Sequence, residues 1–271
     1  GHCPHFEMEG CSKWKTGCSS CPRFKEYPAS NVDCSRFLWN KKRKWFTGLS
    51  SAVVVTPSRW LEGLVQQSFL KEYPVKVINN GIDHSVFYPQ KSRFRDEYGI
   101  GEKYVILGVA FDWGFKKGLD VFIELRNRLD EQYAIVIVGA DETIEKQLGP
   151  GFIVIQRTAN KKELAQIYSA ADVFVNPTRE DTFPTVNIEA LACGTPVITF
   201  PTGGSPEIID STCGTVTKEP TVNSMLDAVL RIQQEKNDYT ETMCCRRAKQ
   251  FDQKNCYESY VALYEDVLKN G

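Results

Sequence analysis

Residues 176–207 read NPTREDTFPTVNIEALACGTPVITFPTGGSPE, and the order of elements in this stretch decides the fold. It opens at the end of an apolar strand, Asp172-Val173-Phe174-Val175, and continues into a loop carrying Arg179, Glu180 and Asp181. A helix is predicted to begin near Pro184, because proline suits the first helical turn. Glu189 lies inside that helix, and Gly194 stands where a left-handed residue ends one. A second apolar strand, Pro196–Phe200, leads into the Gly203-Gly204 turn. Such a strand–loop–helix–strand unit carries acid groups to the carboxyl end of a sheet, where open α/β folds bind ligands.

The same alternation extends in both directions. Strands are predicted at 104–109, 133–138, 152–155, 173–176, 196–200 and 214–217, with helical patterns at 118–129, 143–148, 161–170, 184–193, 206–209 and 222–235. Strands apolar on both faces and separated by helices form a parallel, doubly wound α/β sheet. Upstream, Ser51-Ala-Val-Val-Val-Thr56 reads as a buried strand. Ser58 reads as the cap of a helix running from Arg59 to about Phe69. Downstream, Tyr257, Tyr260, Leu263, Tyr264 and Val267 recur at helical spacing, a pattern of packing surface.

The 271 residues are 42% hydrophobic and 25% charged, with a net charge of −1. That balance suits a soluble globular chain and gives no reason to expect nucleic-acid binding. No apolar run approaches the roughly 20 residues that span a bilayer. Lys41-Lys-Arg-Lys44 reads as a solvated helix face, with contact to anionic lipid as its alternative.

Residues 1–34 are dense in cysteine. Cys18-Ser-Ser-Cys21 forms a C-x-x-C pair, and Cys3 and Cys11 complete a candidate four-thiolate site for structural zinc. Free buried thiols and a disulfide are the alternatives.

These motifs together resemble the donor-site signature of GT-B-fold glycosyltransferases, the retaining family-four type (glycosyl transferases group 1) and its polysaccharide-biosynthesis subgroup. That signature has two acids separated by seven residues, then E-A-L-A-C-G-x-P-V and a G-G-x-P-E turn. Asp181 and Glu189 have the spacing, with Glu180 one residue outside it. Asp181 stands where the family has Glu, Pro184 replaces a loop glycine, and the arginine expected after the first strand is absent.

The resemblance implies a Rossmann-like C-terminal half of GT-B and a Cys-rich remnant of the N-terminal domain. It divides the chain into 1–75 on the acceptor side, 76–250 for the nucleotide-sugar, and a helix 251–271 returning to the first part. Most of the N-terminal domain, with its catalytic His-Asp segment, is expected to be missing, leaving a fragment that binds donor but transfers little sugar. The implied catalytic acid is Asp181 or Glu180. Lys117 and Lys116 meet the diphosphate, Arg157 stands at the nucleobase loop, and backbone amides of Phe183, Pro184 and Thr185 mark the sugar or phosphate subsite. Pro184 has no amide hydrogen and contributes position only. Glu189 takes the ribose, roughly 8 Å from the loop acid by helical rise.

The implied reaction needs no cofactor, and no Asp-x-Asp metal motif occurs. Its partners are a nucleotide diphosphate-sugar and a saccharide or lipid-linked acceptor in surface-polysaccharide synthesis, without nucleic acid. The implied location is cytoplasmic, at the inner face of the membrane, with peripheral contact through the missing domain. Two other readings stand beside it: another enzyme on the same fold, a sugar-nucleotide epimerase or a phosphorylase, and a non-catalytic nucleotide-sugar-binding module.

Overall fold

The computed structural model describes residues 11–25, 29–235 and 238–270. They divide into two units, one of residues 1–78 with 260–271 and one of residues 79–259.

The larger unit is built on a six-stranded sheet. Its strands are β3 (Tyr104–Val109), β4 (Tyr133–Val138), β5 (Phe152–Ile155), β6 (Val173–Asn176), β7 (Val197–Thr199) and β8 (Gly214–Val216). Their spatial order is β5-β4-β3-β6-β7-β8, and all five pairings are parallel. The chain winds outward from β3 through β4 to β5, then returns to β6 on the other side of β3 and winds outward again. The gap between β3 and β6 is the topological switch point, where the loops at the carboxyl ends diverge and leave a crevice.

Period-two burial divides the core into two layers. Val105, Leu107, Ala134, Val136, Val138 and Phe174 face one layer, packed with α6 (Lys161–Ala170), α7 (Thr185–Ala192) and α9 (Glu241–Ala248). Tyr104, Ile106, Tyr133, Ile135, Ile137 and Val175 face the other, packed with α4 (Leu119–Arg128), α5 (Glu142–Leu148) and α8 (Val222–Gln234). Side-chain caps start the helices as their sequences suggest. Asp141 accepts from the Thr143 and Ile144 amides at α5, and Asn160 from the Glu163 amide at α6. Gly194, at φ +86°, follows the end of α7.

Several boundaries differ from the sequence reading. The 206–209 helix is a single 3-10 turn, Ser205–Glu207. The C-terminal stretch holds two helices, α9 and α10 (Gln253–Asn270), separated by a 3-10 turn at Lys249–Phe251. That break lets the Ile82 amide donate to the Phe251 carbonyl at 3.0 Å and the Gln253 amide to the Ile82 carbonyl at 3.0 Å.

The smaller unit contains α1 (Ser35–Phe46), β1 (Val54–Thr56), α2 (Arg59–Val65) and β2 (Val75–Val77), with β1 and β2 parallel. Ser58 caps α2 by accepting from the Leu61 amide, but α2 ends at Val65, short of Phe69. Phe69 instead packs edge-on against Trp39 at 5.6 Å.

The zinc expectation is corrected here. Cys3 lies outside the described residues. Among the described residues, no three His, Cys, Asp or Glu side chains group as metal ligands, and no disulfide joins Cys11, Cys18 or Cys21 to one another. Cys18 is buried with Trp14 and Trp39 in a small apolar core. The Asp33 carboxylate, accepting from the Cys21 and Ser35 amides at 2.8 and 2.9 Å, fastens the segment where a metal was expected. We therefore expect Cys18→Ser to lower stability by roughly 1–2 kcal/mol through burial of a hydroxyl, and Cys21→Ser to change it by less than about 0.5 kcal/mol. Urea denaturation checks this; equal losses at both positions would argue for a shared ligand role.

Candidate functional site

The site is assembled from the loops that leave β3 and β6 on either side of the switch point. After β3 the chain turns sharply at Ala110, whose carbonyl oxygen would lie 1.9 Å from any Cβ at residue 139. Only glycine fits there, and Gly139 adopts φ +88°. Trp113 folds beneath the loop, donating its indole N–H to the Val138 carbonyl at 2.9 Å and meeting Phe122 edge-on. Phe115–Lys117 then make a 3-10 turn, and Gly118, at φ +77°, leads into α4.

The loop after β6 lies directly against this turn. The Arg179 amide donates to the Lys116 carbonyl at 2.8 Å. The Arg179 guanidinium forms two 2.8 Å hydrogen bonds to Asp120 and donates to the Phe115 carbonyl at 2.6 Å. It also stacks over the Phe115 ring, 3.9 Å from the centroid. A planar fork that stacks and chelates at once fixes the two loops relative to each other. From the far side, the Thr202 hydroxyl donates to the Thr178 carbonyl at 2.5 Å and the Gly204 amide to the Asp181 carbonyl at 3.2 Å. Behind the loop, Asn176 donates its side-chain amide to Asn187 on α7 at 2.7 Å.

Four of the sequence-predicted residues meet in this clamp. Lys116 Nζ lies 2.5 Å from Glu180 Oε2, and Lys117 Nζ lies 2.8 Å from Asp181 Oδ2. Each candidate phosphate-binding lysine is thus paired with a candidate sugar-binding acid across the switch point. The acids are not equivalent, since the Glu180 side chain is 9% exposed and that of Asp181 21%. Asp181 Oδ1 also accepts from the Phe183 amide at 3.2 Å, which engages one of the predicted ligand amides. The Phe183 side chain is buried and packs edge-on against Phe251 at 5.6 Å, so it belongs to the core. Pro184 caps α7 and Thr185 is its first residue.

Glu189 sits one turn into α7, partly buried, with the Tyr168 hydroxyl 3.3 Å from its Oε2. Burial pushes its carboxyl up to about 6, against the opposing effects of that hydroxyl and of the Lys161 ammonium. Arg157 is exposed on the loop after β5. It stands at the same sheet edge, two strands from β3, and is not drawn into the clamp.

Arg179, Asp120, Phe115 and Tyr168 escaped the sequence reading. Arg179 was visible as part of the loop, but its partner is 59 residues away, beyond any local pattern. Tyr168 follows the apolar spacing of α6, so its hydroxyl was hidden in a core stripe.

Residues 103–235 match the family described as Glycosyl transferases group 1. The chain is 30% identical over 204 residues to a GDP-mannose-dependent alpha-(1-6)-phosphatidylinositol monomannoside mannosyltransferase of Mycolicibacterium smegmatis, covering 67% of this chain and 53% of that protein. It is 24% identical over 277 residues to the putative colanic acid biosynthesis glycosyl transferase WcaC of Escherichia coli, covering 96% and 64%. Among solved structures, sucrose-phosphate synthase from Thermosynechococcus elongatus superposes with a TM-score of 0.75 at 20% identity, over 93% of this chain and 65% of that one. The chain thus spans between about half and two thirds of these proteins' lengths.

The raised Glu189 carboxyl has a measurable consequence. An acid whose folded pKa lies above its unfolded value contributes stability below the unfolded value, about 4.5, and loses it as pH rises through about 6. Relative to Glu189→Gln, the wild-type chain should lose on the order of 2 kcal/mol between those limits. Denaturation at pH 4.5 and pH 7.5 measures the difference, and a pH-independent gap would place Glu189 in a water-like environment.

Proposed function

We propose that the protein is a GT-B glycosyltransferase whose donor-binding portion is described above, a reading supported by the match of residues 103–235 to the family described as Glycosyl transferases group 1. The reaction moves a sugar from a nucleotide diphosphate to a saccharide or lipid-linked acceptor in surface-polysaccharide synthesis. The observation that carries this reading is the pair of lysine–acid contacts across the switch point, Lys116–Glu180 and Lys117–Asp181.

In the structure these lysines neutralise carboxylates. A bound diphosphate, with more negative charge and more acceptor oxygens, competes for both ammonium groups. It releases the acids to accept hydrogen bonds from sugar hydroxyls. When the bond from the anomeric carbon to the diphosphate oxygen breaks, the electron pair leaves on phosphate, and Lys116 and Lys117 stabilise the charge that develops there. The acceptor hydroxyl oxygen forms the new bond to the anomeric carbon, and its proton passes to the departing diphosphate oxygen. Of the two acids, Asp181 is favoured for the transferred sugar, since it is more exposed than Glu180 and has the seven-residue spacing to Glu189. Glu189 accepts from the ribose hydroxyls, and Arg157 lies towards the nucleobase. Retention of anomeric configuration follows from the family resemblance.

Among the described residues, no helix is long and apolar enough to cross a membrane. A cytoplasmic location with peripheral contact to the inner membrane face suits a nucleotide-sugar donor and a lipid-linked acceptor.

Calorimetric titration with UDP-, GDP- and ADP-sugars tests the reading. One donor class is expected to bind. Lys117→Ala should weaken that donor by about tenfold or more through loss of a charge-assisted contact. Asp181→Asn should leave the free nucleoside diphosphate within about threefold while weakening the nucleotide-sugar, a split that separates sugar from diphosphate recognition. The 271 residues alone are expected to bind without robust turnover. Absence of binding to all three classes would replace the enzyme with a non-catalytic module.

A further inference from the structure

We propose that Tyr168 is a positioning residue for the donor site, its hydroxyl fixing Glu189 so that a carboxylate faces the ribose. This inference rests on the donor-site reading and adds to it a residue outside the clamp loops.

The geometry begins with a phenol that has almost no freedom. Tyr168, on α6, is fully buried. Its ring is held edge-on by Phe174 at 5.5 Å and by Phe87 at 6.3 Å. Its backbone is pinned as well, because its carbonyl accepts from the Thr195 hydroxyl at 2.6 Å and from the Ala171 amide at 3.0 Å. A ring so enclosed can place its oxygen in one position only, and a buried phenol needs a partner there. That oxygen lies 3.3 Å from Glu189 Oε2, on the adjacent helix α7.

Glu189 has the opposite character, a long side chain with several rotatable bonds. Its neighbours on α7 are buried Asn187, Ile188, Ala190, Leu191 and Ala192. A donated hydrogen bond from a rigid group restrains its torsions. A carboxylate has about four lone-pair sites, so one bond to Tyr168 leaves ample capacity for a pair of ribose hydroxyls. The titratable groups that bear on Glu189 are Tyr168 and Lys161 from α6 and Cys193, just past the end of α7. Of these, the Tyr168 hydroxyl and the Lys161 ammonium both favour the ionised carboxyl, and the hydroxyl has the larger effect.

Deleting the phenolic oxygen should therefore make Glu189 harder to ionise and leave the pH at which nucleotide binding fails displaced upward. The experiment is calorimetric titration of the bound nucleoside diphosphate, identified among UDP, GDP and ADP, from pH 5 to pH 8.5 in wild type and Tyr168→Phe. Wild-type affinity should fall as pH drops through about 6. In Tyr168→Phe the midpoint should rise by half a unit or more, about a twofold affinity loss at the wild-type midpoint that approaches threefold below it, with affinity at pH 8.5 within about twofold of wild type. A purely structural role would lower affinity evenly across the pH range. An unchanged midpoint in a folded Tyr168→Phe protein overturns the proposal. Should that variant not fold, site-specific 3-fluorotyrosine at position 168, a stronger hydrogen-bond donor of nearly the same size, decides: the midpoint should fall, and an unshifted midpoint there overturns the proposal equally. Failure of the underlying reading looks different, because wild type would then bind no nucleotide or Glu189→Gln would bind as wild type does.

Discussion

The arginine between two loops is the contact on which the rest of the site depends. β3 and β6 are neighbours in space but lie on opposite arms of a doubly wound sheet, so their loops diverge unless something joins them. Arg179 does so with three groups at once: its amide to Lys116, its fork to Asp120, and its flat face to Phe115. As an ion pair it contributes little to stability, since the Asp120 side chain is 45% exposed and screened by water. Its contribution is geometric. With the loops joined, residues 116 and 117 stand opposite residues 180 and 181 in register, each lysine against one acid. Lysine at position 179 would keep the charge and lose the stack and the second hydrogen bond.

Close packing around the clamp leaves the chain few alternatives. A Cβ at residue 118 would lie 2.6 Å from the Pro177 carbonyl oxygen, and one at residue 203 would lie 1.8 Å from that of Asp181. Both glycines also adopt left-handed conformations that other residues enter at a cost. The two acids are therefore presented on a backbone held from three directions: by the first loop, by the Gly203-Gly204 turn, and by α7 through Asn176 and Asn187. The lysines are more exposed than their partners, with Lys116 at 63% against 9% and Lys117 at 34% against 21%. This asymmetry is compatible with the exchange of partners proposed above.

The sheet was legible in the sequence because its strands are apolar on both faces and its helices carry the ordinary 3.6-residue period. Strands 104–109, 133–138, 152–155 and 173–176 coincide with the structure, and the cap at Ser58 and the glycine after α7 followed from local chemistry. Short-range rules faltered where a tertiary contact ended an element, as at Phe69, which leaves α2 to pack on Trp39, and at Phe251, where the chain pairs with Ile82. The cysteine segment misled for a related reason. Its thiols matched a metal spacing, while two tryptophans 25 residues apart supplied an apolar core that the spacing does not reveal. Candidate residues were legible where one loop held them together and illegible where long sequence separations joined them, as Asp120 joins Arg179.

Glu189 shows why such a residue can nonetheless be singled out without its partners. α7 reads Thr-Val-Asn-Ile-Glu-Ala-Leu-Ala, with five of its eight residues buried. A glutamate in that setting is at odds with its neighbours, because burial penalises the charge that it carries at neutral pH. Folds tolerate a few such conflicts, and they gather where a ligand compensates for them. The structure adds the physical detail: burial raises the carboxyl to about 6, and one rigid hydroxyl and one lysine oppose that rise. A carboxylate so placed is ionised at neutral pH while keeping most of its acceptor capacity unspent. Ligand hydroxyls are groups able to offset that burial cost, which is the physical ground for the ribose role proposed above.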